Sequence, residues 1–328
     1  MIVSVSGYNY SGSSAVVDLL KEYENIQCIE DEIGFPYLPD GITDLEHHIN
    51  NSSIYFNGDV AIRRYIHMCK KSDIPRKYKK QFFKLTNEYI KRLTDTTWRG
   101  NSYFDGSRLE GLKYVSWKAK RMVTAVIYHY TKKAILFDQR TMYLAYDNSS
   151  FEEHTKWYFR EIEKLFSDGK KFVIFNQFFS AFQPERSMKH ADNGKTIVVD
   201  RDPRDIYILG KIRHENSCYP VDDVKKYVTW YKKCHKEGMP VDTENVLYVQ
   251  FEDLIFKYDE TVNRIENFLG LGEHVDKKKR FKPEISKNNT QLIGRFPQLK
   301  EDIRYIVENL PQNLYSFPEN YTIEGDFF

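Results

Sequence analysis

Apolar residues fall into two recurrent patterns along this chain. Short unbroken runs stand at Ile2 to Val5, Ile26 to Ile29, 170–177 (KKFVIFNQ), Ile197 to Val199 and 246–251 (VLYVQF), each bounded by polar or turn-forming residues. Runs of this length read as buried strands. Between them the spacing becomes helical. Ala15, Val16, Leu19, Leu20 and Tyr23 share one face, as do Val224, Tyr227, Val228 and Tyr231, and again Tyr258, Val262, Ile265 and Phe268. Strands alternating with helices predict an α/β fold: a mostly parallel sheet flanked by helices on both faces. From about 57 to 168 the texture differs. Tyr78, Phe82, Leu85, Tyr89 and Leu93 recur at helical spacing, as do Phe151, Tyr158, Ile162 and Leu165, with dense Lys and Arg between. The stretch WRGNSYFDGS (98–107) reads as a loop. The expected organisation is a single domain over 1–328 with a largely helical insertion at about 57–168.

Ligands of parallel sheets bind outside the carboxyl ends of the strands, so the residues there carry the candidate chemistry. The first strand turns through Gly7 and Gly12 into a helix, with Tyr10, Ser11, Ser13 and Ser14 in or beside the turn. Such a loop aims backbone N–H groups and a helix's positive end at one spot, which suits a phosphate. No lysine follows Gly12, which argues against the common ATPase or GTPase loop. The strand at 197–199 ends on Arg201 and Arg204, a second anion-binding device. Each arginine pairs either with a phosphate or with Asp200, Asp202 or Asp205. Glu30 to Glu32 and Asn176–Gln177 end two further strands.

GYNYSGSS resembles the 5′-phosphosulfate loop of sulfotransferases that use 3′-phosphoadenosine 5′-phosphosulfate. VVDRDPRDIYI is similar to that family's 3′-phosphate strand, and VLYVQFEDLIFKYDETVNRIENFLGL to its later strand, turn and helix. The blocks keep the family's order. The resemblance implies sulfuryl transfer from 3′-phosphoadenosine 5′-phosphosulfate to an acceptor hydroxyl, on a small molecule or a glycan, without a metal. It implies cofactor contacts from Gly7, Tyr10, Ser11, Gly12, Ser13, Ser14, Arg201 and Arg204, acceptor or sulfate contacts from Asn176 and Gln177, and a catalytic base at Glu30 or Glu32. Glu30 is favoured because it directly follows the strand; the opposing reading is a solvated acidic turn. The insertion is expected on the acceptor side. Two positions depart from the family. Tyr10 stands where a lysine or arginine is usual, and Leu209 where many members carry a serine. Replacement cations are sought among Arg63, Arg64, Lys118 and Arg121 for the transferred group, and Lys211, Arg213, Lys287 and Arg295 for the 3′-phosphate. Tyr10 keeps a non-catalytic nucleotide-binding relative open as the alternative, ahead of a kinase.

Composition narrows little else. A net charge of +2 gives no electrostatic case for nucleic acid. The abundant rings, 24 Tyr and 22 Phe, are expected mainly in the core. Cys28, Cys69, Cys218 and Cys234 form no C-x-x-C pair, so no metal site is expected and a reducing, cytoplasmic setting fits. A first strand at residue 2 leaves no room for a signal peptide, and no run approaches a membrane span.

Overall fold

The computed structural model describes residues 1–133, 135, 137–213, 218–235 and 238–318. The chain begins β1 (Ile2–Gly7), α1 (Ser13–Leu20), β2 (Ile26–Glu32), α2 (Ile42–Asn50), α3 (Phe56–Lys71), α4 (Arg76–Leu93), β3 (Thr96–Gly100) and α5 (Gly111–Thr131). It continues β4 (Arg140–Leu144), α6 (Phe151–Phe166), β5 (Phe172–Asn176), α7 (Pro184–Met188), β6 (Lys195–Asp200), α8 (Pro203–Arg213) and α9 (Val224–Cys234). The last elements are β7 (Val246–Gln250), α10 (Asp253–Phe256), α11 (Tyr258–Leu269), α12 (Pro283–Ser286) and α13 (Lys300–Asn309). Two compact units result: Met1–Leu38, Ser72–Phe82 and Phe159–Phe328 form the first, Pro39–Lys71 and Phe83–Tyr158 the second.

The first unit is built on a five-stranded sheet in the order β2-β5-β1-β6-β7. Every pairing in it is parallel. Val, Ile and Phe dominate the strands because both faces are covered. On one face Val3, Val5, Ile197, Val199, Leu247 and Val249 pack with the apolar stripes of α1 and α11. On the other, rings close the core: Phe175 meets Phe166 and Phe178, and Phe35 meets Phe82 and Phe178. Two buried serines interrupt the apolar β1 for a reason. Ser4 Oγ accepts from the N–H groups of Phe178 (3.0 Å) and Phe179 (2.9 Å), and Ser6 Oγ donates to the Phe179 carbonyl at 2.6 Å. They satisfy the backbone that leaves β5, whose polar groups would otherwise be orphaned in the core. A separate cluster of Ile206, Tyr207, Tyr227, Tyr231, Ile303 and Ile306 joins α8, α9 and α13.

The second unit is helical around an antiparallel β3–β4 pair. The expected loop at 98–107 is therefore corrected: Trp98 to Gly100 complete β3, and Tyr103–Arg108 form a 3-10 turn. Thr96, Thr97 and Trp98 are good strand formers, but their partner lies some forty residues on and leaves no local signal. Asp59, buried here, accepts from Arg63 (2.9 Å), Arg140 (3.3 Å) and the Tyr143 N–H (3.1 Å), tying α3 to β4. No helix of the described residues is long and apolar enough to cross a membrane.

Candidate anion-binding site

β1 passes into α1 through a loop whose shape needs its glycines. Gly12 has φ +83, and a Cβ there would press into the Phe251 ring. At Gly7 a Cβ would run into Ser11 Oγ. Tyr10 also adopts a left-handed conformation, φ 59, which is uncommon for a bulky residue. The Ser11 N–H donates to the Tyr8 carbonyl at 2.9 Å. Gln177 braces the turn: its Oε1 accepts from the Gly7 N–H (3.2 Å) and its Nε2 donates to Ser13 Oγ (3.3 Å). No side chain caps the N-terminus of α1, so its first amides and the helix dipole remain available to an anion.

Arg201 reaches this loop from the end of β6. It is only 3% exposed. One guanidinium nitrogen donates to the Tyr10 carbonyl at 3.1 Å, another to the Asn289 carbonyl, and the group lies 4.8 Å from the centroid of the Phe251 ring. The Ser11–Ser14 turn and Arg201 therefore share one place. Two donors there are buried without a hydrogen-bond partner among the described residues, Ser11 Oγ and Arg201 Nε, as is one acceptor, Asn289 Oδ1. An unmet buried donor costs about 1–3 kcal/mol. An anionic ligand with two charged ends would meet both, so the residues fit such a group.

Arg204 does not share this geometry. Its guanidinium grips Asp202 (2.8 and 2.5 Å) and donates to the Tyr315 carbonyl at 3.0 Å. Of the two readings open for it, the carboxylate pair is the one this structure holds. Behind Arg201 sit buried carboxylates. Asp205 accepts from the N–H groups of Gln291 and Leu292, each at 2.9 Å, and burial raises its pKa to about 6. Glu252 accepts from the Asp202 N–H at 3.0 Å; burial, then repulsion from Asp202, pushes it up to about 8. It braces the turn after β6, as its place in the sequence suggests. In the unfolded chain Glu252 ionises near 4.5. The fold holds the proton longer, so stability is full below that pH and falls as pH rises towards 8. Glu252→Gln is expected to flatten this loss, leaving the variant more stable at pH 8 by on the order of 2 kcal/mol. Thermal melts of both proteins between pH 6 and 8.5, above most of the Asp205 transition, test this. Parallel curves would refute it.

The other expected site residues scatter. β2 continues through Glu32, so Glu30 lies within the strand and does not follow it. Glu30 is 71% exposed on its side chain and pairs with Lys21 at 3.1 Å. Glu32 sits at the strand's end, in register with Asn176. The polar edge strand pairs through its backbone, which apolar patterning cannot register. Asn176 donates to the Glu30 carbonyl at 3.1 Å, and Gln177 serves the loop. Leu209 is buried in the α8 cluster. Among the candidate cations Arg213 lies by the loop, its guanidinium 5.8 Å from the centroid of the Tyr10 ring. Arg63 and Arg64 belong to the second unit, on Asp59 and Asp40. Asn289, which completes the Arg201 clamp through its backbone, was not foreseen; a carbonyl contact carries no residue signature. No cluster of His, Cys, Asp or Glu among the described residues is placed to hold a metal.

Solved structures similar to this chain include the following three. The sulfotransferase domain of a Synechococcus olefin synthase shares 13% identity over 97% of this chain and 95% of its own, with a TM-score of 0.39. The sulfotransferase domain of the curacin biosynthetic pathway shares 11% over 96% and 98%, TM-score 0.35. A Mycobacterium tuberculosis sulfotransferase shares 11% over 88% and 76%, TM-score 0.29. All three are sulfotransferases. No protein-family model and no curated protein sequence matches the chain.

Proposed function

We propose that this chain is a sulfotransferase that moves a sulfuryl group from 3′-phosphoadenosine 5′-phosphosulfate to an acceptor hydroxyl, a carbohydrate being one acceptor class to test. The observation that carries the reading is the meeting of Arg201 with the Tyr10 carbonyl, which joins the turn after β1 to the residue that ends β6. In this reading the amides of Ser13 and Ser14 and the Ser11 hydroxyl hold the 5′-phosphate. Donors aimed at that group stabilise the charge that grows on it as the sulfur departs. Arg201 takes the 3′-phosphate, where a guanidinium offers two parallel charge-assisted bonds. Arg213, 5.8 Å from the centroid of the Tyr10 ring, supplies in this reading the positive charge that the loop's missing lysine would give. Glu32, at the end of β2, is the base in this reading, because Glu30 is engaged by Lys21.

Calorimetry with adenosine 3′,5′-bisphosphate, AMP and ATP tests the cofactor. The bisphosphate is expected to bind at least ~10-fold tighter than AMP, the worth of a charge-assisted pair to the 3′-phosphate. Equal affinities, or none, would remove the assignment. Tyr10 favours a second reading, a nucleotide-binding relative without catalysis. Tight bisphosphate binding with no sulfate transfer to any of a panel of glycans and phenols would select it.

A further inference from the structure

One side of α5 borders a cleft of about 920 Å³ in the second unit, a size usual for small-molecule sites. Leu112, Ser116, Lys120, Thr124 and Tyr128, four residues apart, line it along the helix. Their span is about 24 Å at the helical rise. Ile135, Phe137, Asp138 and Arg140 form the facing wall. It is fastened to α5 where Thr124 Oγ1 donates to the Ile135 carbonyl (3.1 Å) and Lys120 donates to Asp138 (2.7 Å). The 3-10 turn Tyr103–Arg108 lies at the helix's start. Gly106 lets Trp117 rest on that turn, because a Cβ there would run into the indole ring.

The two ends of the cleft differ in charge. Past Thr124 the walls are Ala125, Tyr128 and Ile135, with no charged side chain. At the other end three guanidinium groups, Arg63, Arg108 and Arg140, gather around two carboxylates. Arg63 and Arg140 share both acids: Asp59 at 2.9 and 3.3 Å, and Asp105 at 3.8 and 2.9 Å. Arg108 makes no hydrogen bond or ion pair with a described residue, and burial, then repulsion from Arg64 and Arg63, lowers its pKa. Arg140 Nε is buried without a hydrogen-bond partner among the described residues. One positive charge and one buried donor therefore stand unanswered. Lys120 and Arg121 add nothing to this count, since Asp138 answers the first and the second faces the Trp117 ring at 5.1 Å. We propose that the cleft binds a small amphipathic anion, its acidic group on Arg108 and Arg140 and its apolar body along Trp117 towards Tyr128 and Ile135.

Other ligand classes answer only part of this lining. A neutral apolar molecule would cover the Arg140 donor without meeting it. A sugar would set hydroxyls against Ala125 and Ile135, which offer them no partner. A cation would meet three guanidinium groups and only two acids. An anion with an apolar body satisfies both ends at once, through charge-assisted bonds at one and burial at the other. The site stands apart from the nucleotide reading, since its lining belongs to the second unit and the Ser11–Arg201 site to the first.

Calorimetry of the full chain with octanoate, 1-octanol and glucuronate tests this. Octanoate carries both features, octanol only the apolar body, and glucuronate an acid without that body. Octanoate is expected to bind at least ~10-fold tighter than either, the worth of one charge-assisted bond. Arg108→Ala should bring octanoate down to the affinity of octanol. Ala125→Trp, which fills the apolar end, should abolish octanoate binding. Both replace exposed side chains, so circular dichroism is expected to match the parent. Equal affinities for octanoate and octanol, tighter glucuronate, no octanoate binding, or full octanoate binding by either variant would each overturn the proposal. So would displacement of octanoate by adenosine 3′,5′-bisphosphate, which would place the anion in the nucleotide site instead.

Discussion

Arg201→Ala is expected to weaken adenosine 3′,5′-bisphosphate binding by about 100-fold, the value of a bidentate charge-assisted contact in a buried setting. The difficulty is that Arg201 also holds the fold: it ties the Tyr10 carbonyl in the loop to the Asn289 carbonyl and packs on Phe251. A loss of affinity alone would not separate these roles. AMP does. It shares the 5′-phosphate and lacks the 3′-phosphate, so its binding reports the loop without the second anion. If Arg201 grips the 3′-phosphate, the bisphosphate loses its advantage while AMP affinity changes little. Parallel losses would mean that Arg201 only shapes the loop, and the 3′-phosphate role would be wrong. Arg201→Lys sharpens the test, because a lysine keeps the charge and loses the planar fork. It should restore only part of the preference for the bisphosphate.

The sheet was readable in advance because each strand is a brief apolar run and both faces of the sheet are covered. Strands such as 197–199 then carry only one message. Where burial is one-sided the message blurs. β2 is an edge strand whose last residues, Glu30 to Glu32, are exposed, so hydrophobicity ended the strand three residues early and moved Glu30 out of it. β3 was hidden for another reason, since its partner β4 is distant in sequence and the ladder is made of backbone bonds. The loop at Gly7–Ser14 was legible because glycine and serine at those spacings answer a backbone requirement. Gln177's part in it was not, because an amide after a strand has many uses. Arg204 shows the limit of reading charges in one dimension: a carboxylate two residues away, Asp202, takes it. The clamp through Asn289 and the tethers at Gln291 and Leu292 are backbone contacts, and side-chain chemistry cannot announce them.

A further set of backbone contacts gathers on one buried acid. Glu22, just beyond α1, is buried and gathers four partners: His274 Nε2 at 2.6 Å and the N–H groups of Lys278 (3.2 Å), Arg280 (2.7 Å) and Phe281 (2.9 Å). It pins 274–281 against the sheet's helical layer, where Tyr23 also stacks on His274 with ring centroids 4.5 Å apart. Glu22→Ala removes the acceptor and leaves three amides and an imidazole nitrogen facing a cavity. Breaking a buried, hydrogen-bonded charge in this way costs about 3–5 kcal/mol. Glu22→Gln keeps one acceptor oxygen and is expected to lose less, about 1–2 kcal/mol. Urea unfolding of the three proteins at neutral pH measures both values. A loss under about 1 kcal/mol for the alanine variant would show that the segment is held by other contacts. The consequence extends to the nucleotide, because the same segment runs from Phe281 through α12 to Asn289. If Glu22 fixes that path, Glu22→Ala protein that is still folded at low temperature should bind adenosine 3′,5′-bisphosphate more weakly than the parent, since Arg201 has lost a firm partner on one side.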